Sequence, residues 1–155
     1  MISEQMTAKE VFEKYKEDML KLIAYQPWLE EKSGNAKMYE QYQTEGMTQN
    51  SMKFPVYDGT LLRFVREAEN TVFMDRNYVY VISGNRLKSA EDEKAFVRKQ
   101  TMLGMDNIGG VLSKYVMGGK VKGRMWSDAM DQGIFLEIVN KLKELYGEGL
   151  NFEVG

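Results

Sequence analysis

The chain contains neither cysteine nor histidine, so it has to be held folded by packing and hydrogen bonding among ordinary side chains. Disulfide staples are excluded, as are the thiolate and imidazole zinc sites that hold many small domains together. At 155 residues the chain does not need them, because a chain of this size buries about 70% of its unfolded surface around one core. With 43% hydrophobic and 28% charged residues, its composition is that of a globular chain and not a disordered one. The expectation is a single domain over residues 1–155.

The same two absences narrow the chemistry. Ser-His-Asp and Cys-His nucleophilic sets, histidine general bases, iron–sulfur clusters and histidine-ligated haem all need residues this chain lacks. No sequence motif for a cofactor replaces them, and none is expected to be bound. The N-terminal stretch MISEQMTAKEVFEKYKEDM is charged throughout, without the apolar run of a signal peptide. The best apolar run, YVYVI at 78–82, is far short of the ~20 residues of a membrane span. These features predict a cytoplasmic protein with no membrane partner. A net charge of −2 argues against a surface that attracts nucleic acid everywhere, so any such binding would be local.

Hydrophobic spacing predicts a mainly α fold, with minor α+β character, built as a bundle of about five helices. Thr7 and Glu10 have capping-box spacing, and Phe12, Tyr15, Met19, Leu22 and Ile23 follow at helical steps, which predicts a helix over 8–26 ended or kinked by Pro27. Residues 30–52 are polar and without sustained period. They read as a long surface connection, with a helical turn around Ala36 to Tyr42. Such a length inside a compact domain marks a contact surface or an unread element. Pro55 and Asp58 introduce a helix carrying Leu61, Phe64, Val65 and Ala68 on one face. Residues 71–82 alternate as a short β-hairpin would, with a short helix capped by Asp75 as the competing reading. Further helices are expected from Ser89 and over 106–117, and a short helix or turn over 126–132, closed by Gly133. The last is the clearest, with Phe135, Ile138, Val139, Leu142, Leu145 and Tyr146 on one face, Glu137 paired with Lys141, and Gly147 past its end. The tail LNFEV alternates as a strand would.

Two stretches carry a resemblance. Leu22, Tyr25, Pro27 and Trp28 in LKLIAYQPWLEE, and Gly123, Ala129, Gly133, Lys141 and Leu142 in and just before MWSDAMDQGIFLEIVNKLKELY, resemble a family of small bacterial and phage proteins defined only as a domain of unknown function. In the turn GGKVKG this chain has no aromatic residue where the family has a basic-aromatic pair. The resemblance implies a mainly helical fold and transfers no activity. Its phage character makes an inhibitor of a host defence system one concrete expectation.

The stretch GGKVKGRMW, 118–126, invites a function. Gly118 and Gly123 have the outer spacing of a phosphate-binding P-loop, but the Lys and Ser or Thr that would reach phosphate and magnesium are replaced by Arg124 and Met125. A basic patch is the better reading. From Asn107 to Ser127 there is no acidic residue, and Lys114, Lys120, Lys122 and Arg124 stand beside Tyr115 and Trp126, with Trp126 expected to anchor the turn to the core. This pattern suits phosphate with base stacking, or an acidic protein partner. Asp128 and Asp131, with Glu137, offer oxygen ligands for Mg²⁺, while Asp75, Asp92 and Glu93 have no better spacing. Twelve methionines exceed ordinary usage, and Met both fills cores and makes adaptable surfaces. Tyr39, Tyr42, Met38, Met47 and Met52 in the polar connection are candidate interface anchors.

Together these features predict a small non-enzymatic interaction protein that binds a protein partner through Tyr39, Tyr42, Met47, Lys120, Lys122 and Arg124. A nucleic-acid binder using the basic turn at 114–126 and a carboxylate, Mg²⁺-dependent enzyme are the rivals.

Overall fold

A computed structural model describes residues 6–35, 38–43 and 53–154. The capping box forms: Thr7 Oγ1 accepts from the Glu10 amide at 3.2 Å and the Glu10 carboxylate from the Thr7 amide at 2.9 Å. Those two bonds satisfy donors a helix start leaves open and fix the beginning of α1 (Ala8–Ile23). Val11, Phe12, Tyr15, Met19 and Leu22 are buried on one face. The helix expected over 8–26 ends at Ile23, and a second one follows it. A turn at 24–25 separates α1 from α2 (Gln26–Lys32), and Pro27 lies in the first turn of α2. There its missing N–H would have had no helical acceptor, so it opens a helix and does not close one.

Part of the polar connection is strand. Strand β1 (Tyr39–Gln43) pairs antiparallel with β2 (Lys53–Tyr57), setting Tyr39 opposite Tyr57 and Tyr42 opposite Phe54. The helical turn expected around Ala36 to Tyr42 is therefore a strand over residues 39–42, and Ala36 lies outside the described residues. The cause is the partner: YEQYQ has little preference of its own, and KFPVY supplies a ladder for its backbone groups. Pro55 sits in β2 opposite Gln41 and not at a helix start. Asp58 alone caps α3 (Gly59–Glu69), its carboxylate accepting from Thr60 N at 2.8 Å and Leu61 N at 3.4 Å. Leu61, Phe64, Val65 and Ala68 are buried as their spacing predicted.

The hairpin expected over 71–82 is replaced by a turn and helix α4 (Tyr78–Gly84). Asp75 closes the turn, its carboxylate accepting from Asn77 N at 2.8 Å and its carbonyl from Tyr78 N at 3.3 Å. Helices α5 (Ala90–Arg98), α6 (Met105–Gly118) and α7 (Met125–Asp131) follow, with a 3₁₀ turn at Met102–Gly104 before α6. Ser89 caps α5, accepting from Asp92 N at 3.1 Å.

Helix α8 (Ile134–Val154) runs through Gly147 and takes up the tail that was expected to be a strand. Gly149 explains the extension: a Cβ there would overlap the ring of Phe12. Tyr146 and Phe152 also pack on that ring, at centroid distances of 5.5 and 6.3 Å. Burying Phe12 against two successive turns is worth about 1.5–3 kcal/mol of transfer free energy, enough to offset the ~1 kcal/mol a helical glycine costs relative to alanine.

The fold is mainly helical, with eight α-helices among the described residues where about five were expected. Helix α8 is its floor, packed by α1, α2, α5, α6 and α7, while α3 closes on α1 and α6. Phe64 and Phe135 meet at 5.0 Å in the core. Met19, Met105 and Met130 are fully enclosed there, so part of the methionine surplus fills the interior.

Candidate functional site

The GGKVKGRMW stretch links α6 to α7. The Gly118 carbonyl accepts from Val121 N at 3.1 Å and Lys122 N at 2.9 Å, which reverses the chain. Gly119 has φ −66°, a value any residue adopts, so its glycine serves space and not backbone freedom. A Cβ on Gly118 would lie 2.6 Å from Met125 Sδ, and one on Gly119 would overlap the Trp126 indole. The Trp126 Nε1–H donates to the Val116 carbonyl at 3.2 Å, capping an acceptor near the end of α6. Trp126 thus anchors the turn, and the glycines let it approach.

The two stretches singled out from sequence come together here. The ring of Tyr57, at the end of β2, packs on Trp126 at 5.3 Å, so the base of the β1–β2 ribbon rests on the basic turn. Tyr39 and Tyr42 lie on β1 of that ribbon, Met38 beside them is buried, and Met47 and Met52 fall outside the described residues. Lys120 is ion-paired with Glu69 at the end of α3. The Arg124 carbonyl accepts from Asp128 N at 2.9 Å and Ser127 Oγ at 3.0 Å, fixing the start of α7. Lys122 has no ion-pair partner among the described residues and lines a cleft of about 300 Å³.

That cleft runs between the turn and α4. Tyr78, Val79, Ile82 and Ser83 form one wall, and Lys114, Gly118, Lys122 and Met125 the other. Helix α4 has no buried residue, and Val79 and Tyr80 are 57% and 75% exposed, with Val121 of the turn at 87%. It is held by glycines of α6: a Cβ on Gly110 would stand 2.8 Å from the Val81 side chain, and one on Gly109 2.7 Å from the Phe73 carbonyl. A Gly-Gly pair inside a helix costs about 1 kcal/mol per residue, and here it seats the segment that carries α4.

Behind the cleft lies a buried polar group missed from sequence. Glu93 is 1% exposed, and its carboxylate accepts from Lys114 Nζ and the Tyr115 hydroxyl. Burial first, then the hydrogen bond and charge of Glu93, push the Tyr115 phenol well above its ordinary range. Glu93 precedes Phe96 and Val97 by three and four positions, both buried, so its place on the inner face of α5 was legible. The carboxylates considered for Mg²⁺ do not converge: Glu137 turns to Arg98 at 3.0 Å and not to Lys141, which pairs with Glu144 at 2.6 Å. Among the described residues no three acidic side chains form a metal-holding group.

A second, larger cleft of about 490 Å³ lies between Val11 and Leu103. Its polar centre is Tyr15, whose hydroxyl donates to Asp106 at 3.0 Å. Burial and then Asp106 push that phenol upward as well. None of the predicted site residues reaches it.

Leu22, Tyr25 and Pro27 form the corner between α1 and α2, with the Tyr25 ring edge-on to Phe64 at 5.3 Å. No helix among the described residues is long and apolar enough to cross a membrane. Compared with protein-family models, with curated proteins and with solved structures, the chain matches none of them.

Proposed function

We propose that this is a small non-enzymatic interaction protein that docks a protein partner on the face formed by α4 and the basic turn. One observation carries the reading: α4 holds Val79 and Tyr80 in solvent beside an apolar cleft. Adjoining exposed apolar side chains rimmed by polar ones mark interaction surfaces more often than isolated ones do. Tyr and Met, present here as Tyr78, Tyr80 and Met125, are also favoured anchors at interfaces. Lys122 and Arg124 supply the polar rim, and Tyr57, at the end of β2, packs on Trp126 of the same turn. A phage-type inhibitor of a host defence system is one form of such a protein, supported by the resemblance alone.

Affinity capture from the native host tests the reading when wild-type protein is run beside the Val79→Asp, Tyr80→Ala double variant. A protein retained by the wild type and lost from an equally folded variant is the expected result. Equal retention by both rejects this face. The nucleic-acid alternative is less well supported, because Lys120 is already engaged by Glu69 and the surface lining the cleft is mainly apolar. Duplex binding that weakens steeply with salt would favour it instead.

A further inference from the structure

The cleft brings together two stretches of chain that share an unusual property. Residues 76–90, which contain α4, and residues 107–127, which contain most of α6 and the turn, have no aspartate or glutamate, in a chain with 23 acidic residues. The first carries Arg76, Arg86 and Lys88, and the second Lys114, Lys120, Lys122 and Arg124. Packing α4 on α6 makes these two acid-free segments neighbours. Neither segment therefore adds negative charge to the surface on which Val79, Tyr80 and Val121 are exposed.

Several of those cations are uncommitted. Lys114 is bound to Glu93 and Lys120 to Glu69. Arg76, Arg86, Lys88 and Lys122 are exposed and have no ion-pair partner among the described residues. Arg76 and Arg86 flank α4, a helix of seven residues and hence about 10 Å long, so cations stand at both ends of its apolar face. Arg86 is held there by a left-handed backbone, φ 55°, that ends the helix.

We infer that the segment docked in this cleft is acidic and amphipathic. Its apolar side chains lie against Val79, Ile82 and Met125, and its carboxylates face Lys122, Arg86 and Arg76. The inference rests on the protein-binding reading and adds the chemistry of the partner. Positive charge alone would serve a nucleic acid or an anionic membrane equally well. The apolar lining disfavours a nucleic acid, because Val79, Ile82 and Met125 gain by excluding water against apolar side chains and gain little against phosphates, and a cleft between two walls fits a protein segment better than the flat face of a bilayer. Charge at the rim selects the sign of the partner and speeds encounter, and the apolar cleft holds it.

Fluorescence anisotropy with labelled synthetic peptides tests this on the intact protein. The probes are Leu/Glu amphipathic peptides of about 16 residues, near the length at which isolated helices become viable, the same composition scrambled, and a Leu/Lys counterpart. The acidic amphipathic peptide is expected to bind at least about tenfold tighter than either control, a difference of about 1.4 kcal/mol. An Arg86→Glu, Lys122→Glu variant is expected to lose that preference while Tm is kept. Val79→Asp is expected to lose binding with the same Tm. Equal binding of the scrambled peptide would show that charge alone acts, and preferential binding of duplex DNA or of phosphatidylserine vesicles would assign the face to another partner. Either result, or no peptide binding, overturns the inference. A captured host protein that depends on Val79 but is not displaced by the acidic peptide would sink this inference and leave the protein-binding reading standing.

Discussion

Helices α8 and α4 are both rich in large apolar residues, yet α8 is the floor of the core and α4 has no buried residue. The difference lies in what each can bury. Helix α8 spans 21 residues, long enough for a stripe to meet several helices at once, and every turn adds a contact. Helix α4 has seven residues and touches α6 along one line, where glycines admit Val81. Ile82 packs partly against the core as well, and Val79 and Tyr80 are left in solvent. Incomplete burial of an apolar helix is what marks a surface for contact, and this is why the proposed interface is placed on α4 and stability on α8.

The contrast can be broken at its strong end. Phe12→Ala removes the ring that Tyr146, Gly149 and Phe152 enclose, and is expected to cost about 3–5 kcal/mol, read by denaturant unfolding. Alkaline pH gives the next effect. Tyr15 and Tyr115 are nearly buried, and both phenols are held above their ordinary range, so the folded state keeps protons that the unfolded chain releases near pH 10. Stability is therefore complete below about pH 10 and falls above it, by up to ~1.4 kcal/mol per pH unit for each tyrosine. Tyr15→Phe should lessen that slope in thermal melts between about pH 9 and 11.

Two glycine substitutions sharpen the comparison because they should differ in sign. Gly147→Ala in α8 meets nothing within 4 Å and should stabilise by about 0.5–1 kcal/mol through helix propensity. Gly110→Ala gains the same propensity but drives a methyl into Val81, an overpacking cost of about 1–3 kcal/mol. Its net effect should be a loss of about 1 kcal/mol, with faster amide exchange confined to residues 78–84. Smallest of all in stability is Val79→Asp, expected within about 0.5 kcal/mol of wild type because the side chain is exposed. Its effect should appear in partner binding alone.

Legibility followed the same division. The inner faces of α1, α3 and α8 were readable because each repeats its apolar spacing over several turns. Segment 78–82 was not, because five apolar residues satisfy a strand period and a helix period alike. The available signal was in another place: Gly109 and Gly110 inside a helical pattern marked a close approach by something. Of the candidate site, Lys122 was found with its acid-free surroundings, whereas its opposite wall was read as a hairpin. Lys120 looked free in sequence and is paired with Glu69, a residue 51 positions away. Spacing along the chain carries no information about such a partner.

By itself the sequence determined that no disulfide and no thiolate or imidazole metal site of its own holds this chain, that helices dominate, and which faces of the long ones turn inward, because these follow from composition and from periods that repeat. Only the tertiary structure decided where α8 ends, that YVYVI is a helix, and that apolar side chains of α4 meet Lys122 of the turn in one cleft. Each of those depends on a neighbour distant in sequence: Phe12 across from Gly149, Val81 over Gly110, and α4 beside the turn. Burial is a property of the pair, and one segment cannot state it.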